Sequence, residues 1–271
     1  MDERTFTVGL DGSVTGDDGA GGMLAASLRY CARLAAAVGE RPLAQPLGAL
    51  RQIRTTSTTS LTADVLWDIG GECRLRARVA TSSVARTPSP PLASDSTGVE
   101  ALAAAMGRLD RVPQARWSAL IRQDLSVLAA AGEVDAADLP HVGVRAVGVL
   151  GGLDERYHRG CVWLGFEGGT LVIASLGRHV LCVCLANVDE VSVVALIEEV
   201  RATLAPYDLA DLQLPQPEPE PEPEPQPEDE PEDADEDDWE PDPMPMVGAR
   251  FRGAVASPPR GKRRETGAWF R

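Results

Sequence analysis

Histidine is scarce in this chain: His141, His158 and His179 are the only three imidazoles in 271 residues. Aromatic side chains make up 4%, and no apolar stretch approaches the ~20 residues that a membrane-spanning helix requires. Cysteine is rare and odd in number. Cys31, Cys73, Cys161, Cys182 and Cys184 lie mostly within apolar runs, which fits reduced thiols in a cytosolic protein better than a disulfide framework. The opening MDERTFTVGLDGS has no basic segment followed by an apolar core, so no secretory signal is read and the cytoplasm is the expected compartment.

These shortages leave little material for catalysis. None of the three histidines lies near a Ser or Cys motif with a nucleophile context, and each reads as an ordinary turn or surface residue. Cys182 and Cys184 would project from one face of a strand about 7 Å apart, but a zinc site asks for two or more Cys pairs, usually with two intervening residues. They read as small apolar core residues. The run GDDGAGG, Gly16 to Gly22, precedes a helix but lacks the Lys-Ser/Thr of a P-loop and the spacing of a dinucleotide fingerprint. Asp17 and Asp18 would moreover repel a phosphate. An EF-hand fails for want of alternating acids and a closing Glu. No catalytic residue, cofactor or metal is expected, and the chain is read as a non-enzyme.

What is abundant is charge, unevenly placed. From Gln216 to Asp242 stand nine Glu, six Asp and no basic residue, whereas Pro243 to Arg271 holds seven basic residues and one acid. The low overall pI describes the end of the chain and not its body. PQPEPEPEPEPQPEDEPEDADEDD alternates Pro with Glu; such a segment favours extended polyproline II and has almost no apolar surface to offset ordering entropy. Residues 211–242 are therefore expected as a disordered acidic spacer, and 243–271 as a disordered basic-aromatic tail.

Ahead of the spacer, two α+β modules are expected, 1–87 and 98–210, joined by a Pro/Ser-rich linker at 88–97. In the first, Thr5–Val8 and Ser13–Thr15 flank the turn dipeptide Asp11-Gly12. Met23–Val38 has helical spacing and ends at Gly39. Leu50–Thr62 is rich in Thr and Ile, and Asp64–Ile69 and Cys73–Val79 flank Gly70-Gly71 as a second hairpin. In the second module, Val99–Leu109 and Ala115–Ala131 are read as helices, the latter ended by Gly132. Val142–Leu150, Gly160–Phe166, Thr170–Leu176 and His179–Ala186 are read as strands, the last at the sheet centre. Val191–Leu204 closes the module as a helix with Val194, Ile197, Val200 and Leu204 on one side. An antiparallel sheet flanked by helices follows.

Two features point to partners. Arg74, Arg76 and Arg78 alternate with Cys73, Leu75, Ala77 and Val79, giving a strand with one cationic face that Arg51 and Arg54 extend. That face is either solvated or a dock for an acidic partner or for the chain's own acidic segment. Nucleic acid is not expected, since no aromatic residues are interleaved. Near the end of the chain, Arg260, Lys262, Arg263 and Arg264 form a polybasic cluster followed by Trp269 and Phe270. These six are the candidate partner-binding residues, suited to a protein surface and to weak contact with an anionic membrane.

The Asp11-Gly12 hairpin, the helix LAASLRYCARLAAAVGE, then LGALRQIRTTST and VLWDIGGECRLRARVA resemble the roadblock (dynein light-chain-like) domain. CVWLGFEGGTLVIASLG, RHVLCVCLAN and VDEVSVVALIEEVRATL are similar in kind. The first module departs from the pattern by lacking a leading helix, the second by having no clear helix between its early strands. Two partial copies are compatible with a tandem roadblock/profilin-like pair, one domain with an insertion, or a different α+β fold. The resemblance implies a non-catalytic scaffold that forms homodimers through sheet extension and helix pairing. It also implies regulation of a small Ras-like GTPase, in bacterial relatives within cell-polarity and gliding-motility switches. It transfers no catalytic residue. A secretion- or assembly-type chaperone holding a protein client is the second reading.

Because residues 215–271 hold too little apolar material to build a core, deleting them is expected to change stability by less than about 0.5 kcal/mol. Thermal unfolding of the full and shortened chains checks this, and a large drop in melting temperature on truncation contradicts it.

Overall fold

The computed structural model describes residues 3–16, 21–40, 46–57, 59–81, 97–153, 155–158, 160–186 and 190–212. Met1–Pro217 is one compact unit, and Glu218–Arg271, the second, lies outside the described residues. The linker expected at 88–97 is outside them too, except for Thr97.

The fold is α+β. Its strands are β1 (Glu3–Val8), β2 (Val14–Gly16), β3 (Leu50–Thr55), β4 (Thr59–Trp67), β5 (Cys73–Thr81), β6 (Ala115–Ile121), β7 (Val127–Gly132), β8 (Cys161–Phe166), β9 (Gly169–Leu176) and β10 (His179–Leu185). The helices are α1 (Gly21–Gly39), α2 (Gly98–Asp110), α3 (Leu139–Gly152), the single turn α4 (Glu155–His158) and α5 (Glu190–Leu204). All ten strands join one antiparallel sheet in the order β2-β1-β5-β4-β3-β8-β9-β10-β6-β7.

That order repeats itself. Counted within its own half, each set of five strands runs second, first, fifth, fourth, third, and the two third strands meet in the middle. At this seam β3 and β8 are antiparallel, with Ile53 opposite Leu164 and Arg54 opposite Trp163. The first hairpins also match. Asp11 Oδ1 accepts from the Ser13 N–H at 2.9 Å and from its hydroxyl at 2.6 Å; Asp124 Oδ1 accepts from the Ser126 N–H and hydroxyl at the same two distances. Between the Asp and the Ser sits a residue with left-handed backbone: Gly12 at φ 86° in the first turn, Leu125 at φ 71° in the second.

The core lies on both sides of the sheet. On the inner face α1 and α3 pack side by side across the two halves, over Phe6, Ile53, Leu75, Leu164, Ile173 and Cys182 among others. On the outer face α2 and α5 cover only the second half, over Leu120, Trp163, Val172, Leu181, Val183 and Leu185. A capping box starts α2: the Glu100 N–H donates to Thr97 Oγ1 at 3.3 Å, and the Thr97 N–H donates to Glu100 Oε2 at 2.8 Å. That bond to the Thr97 backbone holds the exposed Glu100 carboxyl below its usual range.

Several expectations are corrected. Residues 115–131 are the hairpin β6–β7, not a helix; alanine is a good helix former, but the Asp124–Ser126 turn breaks the run and β6 is buried on both faces. Residues 142–150 belong to helix α3, not a strand, so the second half does have a helix between its early strands. Its valines and glycines lower helix propensity, yet the glycines are what the packing needs. A Cβ on Gly148 would stand 2.6 Å from Leu34 Cδ1, and one on Gly152 2.9 Å from Cys31 Sγ. Residues 50–62 hold two strands, β3 and the start of β4. In α5 Val193 joins Ile197, Val200 and Leu204 in the buried face, with Val194 half-buried against the same cluster.

Leu164 is fully buried at the seam, so Leu164→Ala is expected to destabilise by about 2–5 kcal/mol while the unit still unfolds in a single step. Denaturant unfolding followed by tryptophan fluorescence and by circular dichroism checks this. Two separated transitions in the wild-type chain would overturn the single unit.

Candidate functional site

The reactive side chains are dispersed. All five cysteines are free and buried. Burial pushes the Cys31 and Cys182 thiols up to about 12 and Cys184 to about 11, and raises Cys73. Cys182 and Cys184 do share the inner face of β10, as the alternation predicts, and there they fill core beneath α3. His141 is exposed in the first turn of α3 rather than at a strand start, its carbonyl accepting from Arg145 at 3.0 Å. His158 ends α4. His179 is buried on the outer face at the start of β10. Among the described residues no three His, Cys, Asp or Glu side chains cluster as a metal site, and no helix is long and apolar enough to cross a membrane.

The cationic strand occupies a distinctive place. Arg74, Arg76 and Arg78 are exposed on the outer face of β5, flanked by Thr5 and Thr7 on β1 and by Thr62, Asp64 and Leu66 on β4. By position within its half, β5 corresponds to β10, whose outer residues are Leu181, Val183 and Leu185. Where α2 and α5 cover the sheet the strand carries aliphatic side chains; where no described helix covers it, the strand carries arginines. Charge on an open sheet face keeps that face hydrated and deters unwanted association.

Most of these cations have partners. Arg78 pairs with Glu3 at 3.0 Å, Arg51 with Glu167 and Arg54 with Glu190 at the start of α5. Arg54 also lies 5.4 Å from the centre of the buried Trp163 ring, an arrangement that contributes about 1 kcal/mol. Arg74 and Arg76 meet no carboxylate among the described residues. The face is thus partly neutralised, and with Asp64 opposite Arg76 it is a modest anion attractor.

The inner-face helix pair is different in character. Tyr30 of α1 is 53% exposed, and Val144 and Val147 of α3 are 47% and 40% exposed. Leu34 is half-buried between the helices and Met23 stands out near the start of α1. The close approach at Gly148 and Gly152 brings Tyr30 and Leu34 against α3, so one apolar surface takes residues from both halves. Large exposed apolar groups gathered on one face mark an interaction site more often than solitary ones do. Composition alone does not reveal this surface, because the valines and glycines of α3 argue for a strand; its signal is the spacing of Val144 and Val147 by three residues.

Arg260, Lys262, Arg263, Arg264, Trp269 and Phe270 lie outside the described residues, as do Asp17 and Asp18 of the Gly-rich loop. The site that the folded unit offers is therefore the α1–α3 surface, with the arginine face as a second, weaker feature.

Since all five thiols are buried, iodoacetamide at pH near 8 is expected to leave the native chain unlabelled and to modify all five cysteines once guanidinium unfolds it. Mass spectrometry reads the outcome, and rapid labelling of the native chain would contradict the burial. Compared with protein-family models, curated proteins and solved structures, the chain matches none of them.

Proposed function

We propose that this chain is a non-enzymatic interaction protein, built as two roadblock-like modules in tandem, that binds a small Ras-like GTPase through the α1–α3 surface. The observation that carries the reading is the exposed apolar group of Tyr30, Val144 and Val147, drawn from both halves. The tandem reading rests on the repeated strand order and the matched Asp-x-Ser hairpins. Among the described residues the first copy shows no counterpart of α2 or α5, and in this reading its arginines take the place of the residues those helices would bury.

The resemblance stated for the sequence supplies the identity of the partner and the process, bacterial cell polarity or motility. It also implies homodimers through sheet extension and helix pairing. Here β3 and β8 pair with each other and α1 with α3, so a homodimer has β2 and β7 as its remaining sheet edges. The segment holding Arg260, Lys262, Arg263, Arg264, Trp269 and Phe270 is proposed as a second contact that extends the reach of the first. Aromatic and aliphatic anchors at the centre of an interface dominate binding energy, and Tyr30 with Val147 are suited to that role.

The double variant Tyr30→Glu, Val147→Glu is expected to weaken capture of a nucleotide-loaded Ras-like GTPase by about 30-fold or more, with unchanged circular dichroism. Pull-downs with GTP- and GDP-loaded proteins test it. Undiminished capture by the variant removes the α1–α3 surface from the reading. A full chain that holds unfolded clients without regard to nucleotide favours the chaperone instead.

A further inference from the structure

A cleft of about 810 Å³ opens on the outer face, between the β9–β10 turn and the chain that follows α5. Its size is that of ordinary small-ligand sites. Leu176, Leu204, Pro206 and Leu209 give it apolar walls, and Arg178, His179, Arg201, Tyr207 and Asp208 give it polar ones. It is separate from the α1–α3 surface, which lies across the sheet.

Most polar groups around this cleft are engaged with the protein itself. Arg201 Nε donates to the Ser175 carbonyl at 3.1 Å, its Nη2 to the Gly160 carbonyl at 2.7 Å, and its Nη1 pairs with Glu198. Arg122 Nε donates to the Leu209 carbonyl at 3.2 Å and its other end to the Leu212 carbonyl, pinning the segment that forms the far wall. Asp208 Oδ1 accepts from the Ala210 N–H at 3.0 Å, and the Ser175 hydroxyl donates to the Gly177 carbonyl at 3.2 Å.

His179 is the exception. It is only 9% exposed, and its Nδ1 is buried with no hydrogen-bond partner among the described residues. A buried polar group left unpaired costs about 1–3 kcal/mol, and a histidine kept only to fill core would be expected to satisfy its ring nitrogens. Burial above all, and then the nearby Arg122, hold the imidazole below its usual range, against the opposing pull of Asp208 and Asp124; Arg178 acts in the same direction as Arg122. The ring is therefore neutral near pH 7 and keeps one N–H to donate. Next to it in sequence, Arg178 is exposed at the turn and forms no ion pair among the described residues.

We propose that this cleft binds a small carboxylic acid with an apolar body. The carboxylate would accept from the Arg178 guanidinium and from the His179 imidazole, and the body would lie along Leu176, Leu204 and Leu209. The pairing explains why the one unsatisfied imidazole and an unpaired arginine stand side by side at the mouth of an apolar hollow. It does not rest on the GTPase reading, since no residue of the α1–α3 surface takes part.

The test uses the full chain with octanoate as probe, followed by isothermal titration and by the imidazole nitrogen resonances. Saturable one-to-one binding is expected, with the shift confined to His179 among the three histidines. Octanol, which has the same body without the charge, should bind about tenfold or more weakly. Arg178→Glu alters an exposed side chain and should fold normally while weakening octanoate about tenfold or more; His179→Gln should weaken it by a smaller factor. The Tyr30→Glu, Val147→Glu chain should bind octanoate as the wild type does. Absence of saturable binding, equal affinity for octanol, or unchanged affinity in Arg178→Glu would each overturn the proposal.

Discussion

The ladder between β3 and β8 is the contact on which the rest of the architecture depends. Without it each five-stranded half would present an open edge of backbone N–H and C=O groups, a template for pairing with other chains. With it, the two halves share one sheet, and their inner-face residues merge into one hydrophobic cluster beneath α1 and α3. The helix pair follows from the seam: once the third strands meet antiparallel, the helix preceding each is brought beside the other. The glycines of α3 then let the two approach closely enough to bury Leu28, Cys31 and Val149 completely.

The two faces of the sheet obey different constraints. The inner face carries one hydrophobic cluster drawn from both halves and covered by α1 and α3. The outer face changes character at the seam, where Arg54 leans on Trp163 and pairs with Glu190. On one side of that line lie α2, α5 and a second hydrophobic cluster; on the other, arginine, threonine and aspartate face solvent. Trp163 belongs to the covered side and Arg54 to the open one, so the cation–ring contact joins two environments that would otherwise leave an apolar edge exposed. The molecule is thus asymmetric despite its repeated topology, with exposed apolar side chains on the helix pair of one face and a cleft on the other.

How far the residues announced this depends on the range of the interaction. The Asp11-Gly12 hairpin and the β4–β5 hairpin were legible because their turns carry glycine where a left-handed backbone is required. The equivalent β6–β7 hairpin was not, because Leu125 holds that position and the flanking alanines suit a helix. The α3 segment was obscured for the opposite reason: valine and glycine argue against a helix until a neighbouring helix is there to fill the grooves. Of the candidate surfaces, the arginine face could be read from simple alternation. The α1–α3 surface could not, since it needs two segments more than a hundred residues apart, and neither could the cleft around His179.

Taken alone, the order of amino acids determined what depends on near neighbours: strands of alternating burial, the last helix, the scarcity of reactive side chains, and an acidic, proline-rich stretch without the means to build a core. Only the tertiary structure decided that ten strands form one sheet, that the halves join through their third strands, and which faces stay open. The physical reason is that edge pairing and helix docking are settled by complementarity between distant segments. A residue's neighbours along the chain carry no record of which backbone will come to lie beside it.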